Sequence, residues 1–220
     1  MAFPSPPTIS TMRIESLQTK PDSLGRHKVT LSDGSVLRLY RQTVEDFGLF
    51  TGLELEEETL KEIKAAAGKM SAKMRAVRIL SAASVSEQDL QQRLIRKGES
   101  KADAREAVAW MQEMHLVDDA ETARQIVARC IRQGYGPGRA KQALYEKRIP
   151  KEFWEDALAD YPDQTETVTQ FLRSRLGSQW DRKDLQKAMD ALVRRGFSYP
   201  QIREGLKALE MDTSEFPEEF

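Results

Sequence analysis

Few side chains in this chain could do chemistry. It holds two histidines, His27 and His115, and one cysteine, Cys130. The histidines fall in a strand-like tract and at a helix end, with no metal-ligand spacing between them, so each reads as a surface or structural residue. Cys130 shares a helical face with Val127 and Ile131 and is expected to be a small buried hydrophobe. A lone cysteine forms no internal disulfide and fits a reducing cytoplasm. Gly134-Tyr135-Gly136-Pro137-Gly138-Arg139-Ala140-Lys141 suggests a phosphate loop. It lacks the Gly-Lys-Ser/Thr ending and a preceding strand, so a turn with Pro137 early in a helix is the better reading. Asp118 and Asp119 are adjacent and point to different helical faces, and Asp118 is expected to cap a helix. No catalytic constellation emerges, and the expectation is a non-enzymatic protein with no cofactor or metal.

The basic residues are the remaining functional set. Arg93, Arg96 and Lys97 close one predicted helix. Arg139 and Lys141 open a second, which Lys147 and Arg148 close. Lys183, Lys187, Arg194 and Arg195 lie on a third. If these helices stack in parallel, the cations form a stripe that suits a phosphate backbone or an acidic protein groove. Ordinary helix-end capping and solubility is the competing reading. Net charge is −1, but residues 59–209 hold 28 Lys/Arg against 21 Asp/Glu, residues 1–58 hold 6 against 9, and residues 210–220 hold 0 against 5. A basic body between acidic ends points toward a polyanionic partner. The acidic tail is expected to shield the stripe until a partner displaces it. Trp110, Trp154 and Trp180 read as core or inter-repeat packing, Trp154 above all.

These residues must be positioned by two kinds of element. Arg13–Leu17, Val29–Leu31 and Val36–Tyr40 alternate in polarity and predict a small β-meander, with Ser32-Asp33-Gly34-Ser35 as a hairpin turn. A short helix is expected over Gln42–Phe47, ending at Gly48. From Glu56 onward the period is helical. Glu56–Glu58 favour a helix N-terminus carrying Leu60, Ile63 and Ala67; Gly68 weakens it, and a separate helix is expected from Ser71 to Ala82. No stretch approaches the ~18 apolar residues of a membrane span. The proline-bearing start, Met1–Pro7, has no secretory-signal pattern and reads as a disordered lead-in.

Internal repetition is the most informative pattern. Leu94, Gly98, Ala104 and Val108 are spaced by 4, 6 and 4 positions, as are Leu144, Arg148, Trp154 and Leu158, and again Leu192, Gly196, Ile202 and Leu206. In each copy a helix carrying the first residue ends after a cation (Lys97, Lys147, Arg195), and a second helix carries the last two. Preceding helices, about 71–82, 120–133 and 164–176, complete three-helix units. Ser86-x-x-Asp89 predicts a capping box, and Asp181 a cap in the third copy. One unit cannot bury its apolar face alone, so neighbours must stack. The expected fold is mainly α: an elongated, curved array of three tandem three-helix repeats after a small N-terminal β-meander. The expected order is a lead-in (1–11), a β-rich domain (12–55), a linking helix (56–70), repeats at 71–117, 118–161 and 162–209, and an acidic tail (210–220).

At these positions the chain resembles the RecX family of regulatory proteins. Ser86–Gly98 resembles the family's first-repeat signature, with a Ser-Glu start, paired leucines and a terminal Lys-Gly. Leu116-Val117-Asp118-Asp119, with Ala123, resembles its inter-repeat junction. Arg194-Arg195-Gly196-Phe197-Ser198-Tyr199 with Ile202 resembles its ending. The likeness spans about residues 74–209, and residues 12–55 resemble an extension found in some members. Lys147-Arg148-Ile149 departs from the family's Lys-Gly-Ile. That helix must end without a glycine, and the second copy is where the geometry is expected to deviate. The resemblance implies a cytoplasmic, monomeric regulator of RecA, mainly an inhibitor. It would bind the groove of the RecA–single-stranded-DNA filament and limit filament growth, ATP hydrolysis, strand exchange and SOS induction. The alternatives are a nucleic-acid-binding repeat protein acting on DNA without RecA, and a helical scaffold for another protein.

Overall fold

The computed structural model describes residues 11–177 and 180–209. The expected lead-in (apart from Thr11) and acidic tail lie outside these residues. The chain forms two compact units: residues 11–83 with Leu90–Leu116, and Ser84–Asp89 with residues 117–209.

The first unit opens with a four-stranded antiparallel sheet. Strands β1 (Thr11–Leu17), β2 (Arg26–Leu31), β3 (Val36–Tyr40) and β4 (Glu54–Glu56) lie in the order β3-β2-β1-β4. Helix α1 (Arg41–Asp46) separates β3 from β4. The three expected strands are present. β4 escapes a polarity reading because Glu54-Leu55-Glu56 is short and charged, and only backbone pairing with β1 makes it a strand. Ile14, Val29, Leu31, Leu39 and Leu55 form the covered face of the sheet, against Leu60 and Ile63 of helix α2.

Helix α2 runs unbroken from Glu57 to Ala82, where two helices divided at Gly68 were expected. Gly68 is a site of close approach instead. A Cβ there would stand 3.0 Å from Asp103 Oδ2 on helix α4 (Lys101–Glu113). Omitting the side chain lets α4 lie against α2, and its helix-propensity cost of about 1 kcal/mol is spread over a 26-residue helix. Lys69 pairs with Glu106 (2.9 Å), Arg75 pairs with Glu99 (2.7 Å), and the Lys73 ammonium lies 5.4 Å from the Trp110 ring centre. Ser100 caps α4 by accepting the Asp103 amide at 3.0 Å. Helix α3 (Glu87–Arg96) begins in the second unit and continues in the first.

The second unit holds two further three-helix sets. Helices α5 (Asp119–Arg132), α6 (Pro137–Glu146) and α7 (Trp154–Ala159, entered by a 3-10 turn at Lys151–Phe153) form one. Helices α8 (Thr165–Leu176), α9 (Arg182–Arg194) and α10 (Tyr199–Ala208) form the other. Periodicity explains the packing: Leu94, Leu144 and Leu192 are fully buried, as are Ala104 and Ile202 at a later repeat position. Trp154, expected as core, is half-buried against the α5–α7 cluster, and its indole N–H donates to the Ile149 carbonyl at 3.0 Å. Trp180 corrects its expectation. It precedes the Asp181 cap, outside the apolar stripe of α9, and is 44% exposed.

Candidate functional site

The candidate cations are positioned by one recurring helix ending. After α3, the Gly98 amide donates to the Ile95 carbonyl and the Glu99 amide to Leu94. After α9, Gly196 donates to Val193 and Phe197 to Leu192. After α6, Arg148 donates to Tyr145 and Ile149 to Leu144. These are the paired closures of a Schellman ending, with the residue after the last cation in the left-handed region. Gly98 and Gly196 have φ of 93° and 89°; Arg148 has 56°. The expected deviation of the second copy is therefore corrected: arginine adopts the glycine conformation and the ending is preserved. Burial of Ile149 beneath the turn holds it there. Lys97, Lys147 and Arg195 thus occupy equivalent C-terminal positions, where a helix dipole favours a cation.

The remaining candidates differ in their surroundings. Arg93 and Arg96 lie in the last turn of α3, and Arg96 Nε donates to the Gln92 carbonyl at 3.4 Å. Arg139 is half-buried and pairs with Glu146 at 3.3 Å. Lys187 pairs with Asp184 at 3.3 Å, while Lys183 is exposed in the first turn of α9. Lys141, Lys147, Arg148 and Arg194 are exposed. Arg195 is a packing residue: its guanidinium lies 4.9 Å from the Phe171 ring centre and 5.9 Å from that of Tyr135, a cation–π arrangement.

Arg139, Lys141 and Arg194 converge on an open groove of about 690 Å³, completed by Phe197, Ser198 and Gln201. Lys183 and Lys187 do not join them; about 16 Å of helix separates Lys183 from Arg194. Arg93, Arg96 and Lys97 belong to the first unit. The groove exists because α6 begins directly against the end of α9. The Gly136 amide donates to the Arg195 carbonyl and the Gly138 amide to the Gly196 carbonyl, both at 2.9 Å. A Cβ on Gly136 would collide with the Gly196 backbone, and one on Gly138 would stand 2.9 Å from its oxygen. The glycine-rich loop is thus a turn with Pro137 at the start of a helix, as the sequence suggests. Sequence reasoning missed that Gly136 and Gly138 form a backbone seam with Gly196 of the adjacent repeat; the Gly136-x-Gly138 spacing was the available signal.

The expected caps are in place. Ser86 accepts the Asp89 amide (3.1 Å), Asp118 accepts that of Glu121 (3.0 Å), and Asp181 accepts that of Asp184 (2.8 Å). Ser86 also donates to the Lys147 carbonyl at 2.7 Å, tying the start of α3 to the end of α6. Asp119, which the sequence places only beside Asp118 and on a different helical face, is buried and accepts the Glu87 amide at 2.9 Å. Burial pushes its carboxyl pKa up to about 6, against the lowering by that hydrogen bond; Glu87, Asp118 and Glu152 raise it further. Burial also pushes the Cys130 thiol up, which disfavours its thiolate form. His27 Nδ1 lies 2.9 Å from the Gln18 carbonyl, and His115 is exposed at the end of α4 with φ of 55°. Among the described residues, no helix is long and apolar enough to cross a membrane.

Residues 118–158 match the family model described as RecX, second three-helix domain. The chain is 35% identical over 96 residues to "Regulatory protein RecX" of Cronobacter sakazakii, covering 39% of this chain and 58% of that relative's length. It is 28% identical to the Vibrio parahaemolyticus protein of the same name, over 63% of this chain and 92% of the relative. For the Clostridioides difficile protein of that name the figures are 27%, 84% and 89%. A crystal structure of regulatory protein RecX superposes with a TM-score of 0.67 at 22% identity, covering 89% of this chain and 99% of the other. RecX from Lactobacillus salivarius gives 0.60 at 23%, covering 66% and 98%. At these identities the two structures speak for the fold alone. The family model falls on the copy that keeps its ending despite Arg148, and the chain is similar to proteins named regulatory protein RecX along most of its length.

Proposed function

We propose that this protein regulates the RecA recombinase by binding the groove of the RecA–single-stranded-DNA filament, mainly as an inhibitor. Bound there it limits filament growth and, with it, ATP hydrolysis, strand exchange and SOS induction. The observation that carries this reading is the recurrence of one helix ending, with its C-terminal cation, in all three copies of a RecX-type repeat. Repeated units suit a partner that is itself a repeating polymer, and binding to one filament state shifts its population by mass action. The three-cation groove on α6 and α9 supplies electrostatic attraction to a polyanionic assembly.

The test uses four exposed cations, Lys97, Lys141, Lys147 and Arg194, each changed to Glu in one variant. Arg195 is left intact because it packs on Phe171 and Tyr135. The variant should need about tenfold more protein to halve DNA-dependent ATP hydrolysis by RecA, a loss of about 1.4 kcal/mol. Undiminished inhibition by the folded variant would refute the reading.

The groove also favours a second reading, in which the chain binds nucleic acid without RecA. Binding to bare DNA would then be sequence-tolerant and steeply salt-dependent, and RecA hydrolysis would respond only through competition for the strand.

A further inference from the structure

Residues 1–58 are acidic in sum, with 6 Lys/Arg against 9 Asp/Glu. Folding sorts these charges. Lys20, Arg26, Lys28 and Arg38, four of the six cations, line one open groove of about 620 Å³ on the N-terminal sheet. Asp22 is the one carboxylate of the nine that joins them. The arrangement works against the sheet's own stability. Lys28 on β2 lies directly opposite Arg38 on β3, and like charges in register repel.

Asp22 orders this surface without neutralising it. Its carboxylate accepts the Leu24 and Arg26 amides and the Arg26 guanidinium, which together bring its pKa down to about 2. It also reaches Arg38 at 3.7 Å, so a single anion is shared between two arginines. Among the described residues, Lys20 and Lys28 have no carboxylate partner. Four cations over one anion leave three uncompensated positive charges on an otherwise acidic domain.

We propose that this groove is a second polyanion site, which docks the phosphodiester backbone of nucleic acid. Its lining carries no aromatic ring, so it lacks the stacking platform that would read bases and the buried anchor typical of a protein interface. What it offers is spread positive charge at an open surface, which suits phosphate contacts that position a strand without reading sequence. The site is independent of the helical groove and of RecA.

The experiment uses the full chain without RecA and fluorescein-labelled oligonucleotides of roughly 30 nucleotides, single-stranded and duplex, between about 50 and 200 mM salt. The variant Lys20→Glu/Lys28→Glu should bind at least tenfold more weakly at the lowest salt. Lys20→Ala/Lys28→Ala should lower the slope of log affinity against log salt by about 1.4–1.8, since each phosphate contact contributes about 0.7–0.9. A loss confined to the single strand assigns the site to single-stranded backbone, and a loss with both assigns it to phosphodiesters in general. Both lysines are exposed, so the alanine variant should keep the wild-type melting temperature and decides the matter if the reversal variant fails to fold. The proposal is overturned if wild-type protein binds neither oligonucleotide or if the alanine variant keeps its affinity and slope. It is equally overturned if the two lysines govern binding to anionic phospholipid vesicles and not to DNA. RecA is absent throughout, so such a failure leaves the filament reading standing.

Discussion

Arg148 shows how much a single residue can carry against its own preference. A side chain in the left-handed region costs roughly 1–2 kcal/mol, and part of what glycine would regain is lost to its greater freedom in the unfolded chain. Arg148→Gly is therefore expected to stabilise the protein by about 1 kcal/mol, read as a higher urea midpoint with an unchanged denaturant slope. Asp119 makes a different demand. Its folded pKa of about 6 lies above the ordinary 3.8, so between pH 4 and 6 the folded state binds more protons than the unfolded state. Its contribution to stability is fully present below the lower value and is lost as pH rises through the upper one. Asp119→Asn keeps an acceptor for the Glu87 amide and removes the titration. The stability of this variant relative to wild type should rise by about 1–3 kcal/mol from pH 4 to pH 7 and then level off, measured by chemical denaturation across that range.

Two glycines of similar appearance act differently within their elements. Gly98 ends α3 in open space, so Gly98→Ala meets only the backbone penalty of a positive φ, about 1–2 kcal/mol. Gly136 has an ordinary φ of −82°, but its Cβ would enter the backbone of Gly196. Gly136→Ala must push α6 away from the end of α9, and overpacking of this kind costs about 1–3 kcal/mol. It should also disturb the groove that Arg139 and Lys141 share with Arg194. Thermal unfolding will register both substitutions. RecA inhibition should fall for Gly136→Ala and hold for Gly98→Ala at temperatures where both are folded. Equal effects on inhibition would count against the seam as the support of the groove.

At the scale of the molecule, charge is distributed so that sign and location matter more than the total of −1. Residues 210–220 carry five carboxylates and no cation, beside a body with an excess of seven positive charges. Deleting 210–220 should strengthen filament binding at low salt, and the gain should vanish as salt is raised, because screening shortens the reach of these charges to about 8 Å near physiological ionic strength. Fluorescence anisotropy on labelled filaments measures it, and an unchanged affinity at low salt would remove the tail from any regulatory role.

Composition and periodicity determined a good deal. Leu94, Leu144 and Leu192 recur at intervals of 50 and 48, and burial at a regular spacing leaves that trace in any sequence. Ser86, Asp118 and Asp181 could be read as caps because an orphan amide needs an acceptor three residues away, a purely local requirement. The β-meander was legible for the same reason, since its strands alternate and its turn residues are short-range signals. What escaped the sequence depends on partners distant along the chain. β4 is a strand only because β1 lies beside it, and α2 passes through Gly68 only because α4 needs the space. Arg148 holds a glycine conformation because Ile149 is buried beneath it. Of the cations legible as a stripe, Arg195 turned inward to aromatic rings supplied by Phe171 and Tyr135. Arg139, Lys141 and Arg194 met in one groove because three glycines let two backbones touch. Lys20, Arg26, Lys28 and Arg38 belong to an acidic segment, and only the pairing of β2 with β3 and the β1–β2 connection bring them to one surface. Spacing along a chain reports what each element needs from itself; which charges share a surface is decided by contacts that no local pattern encodes.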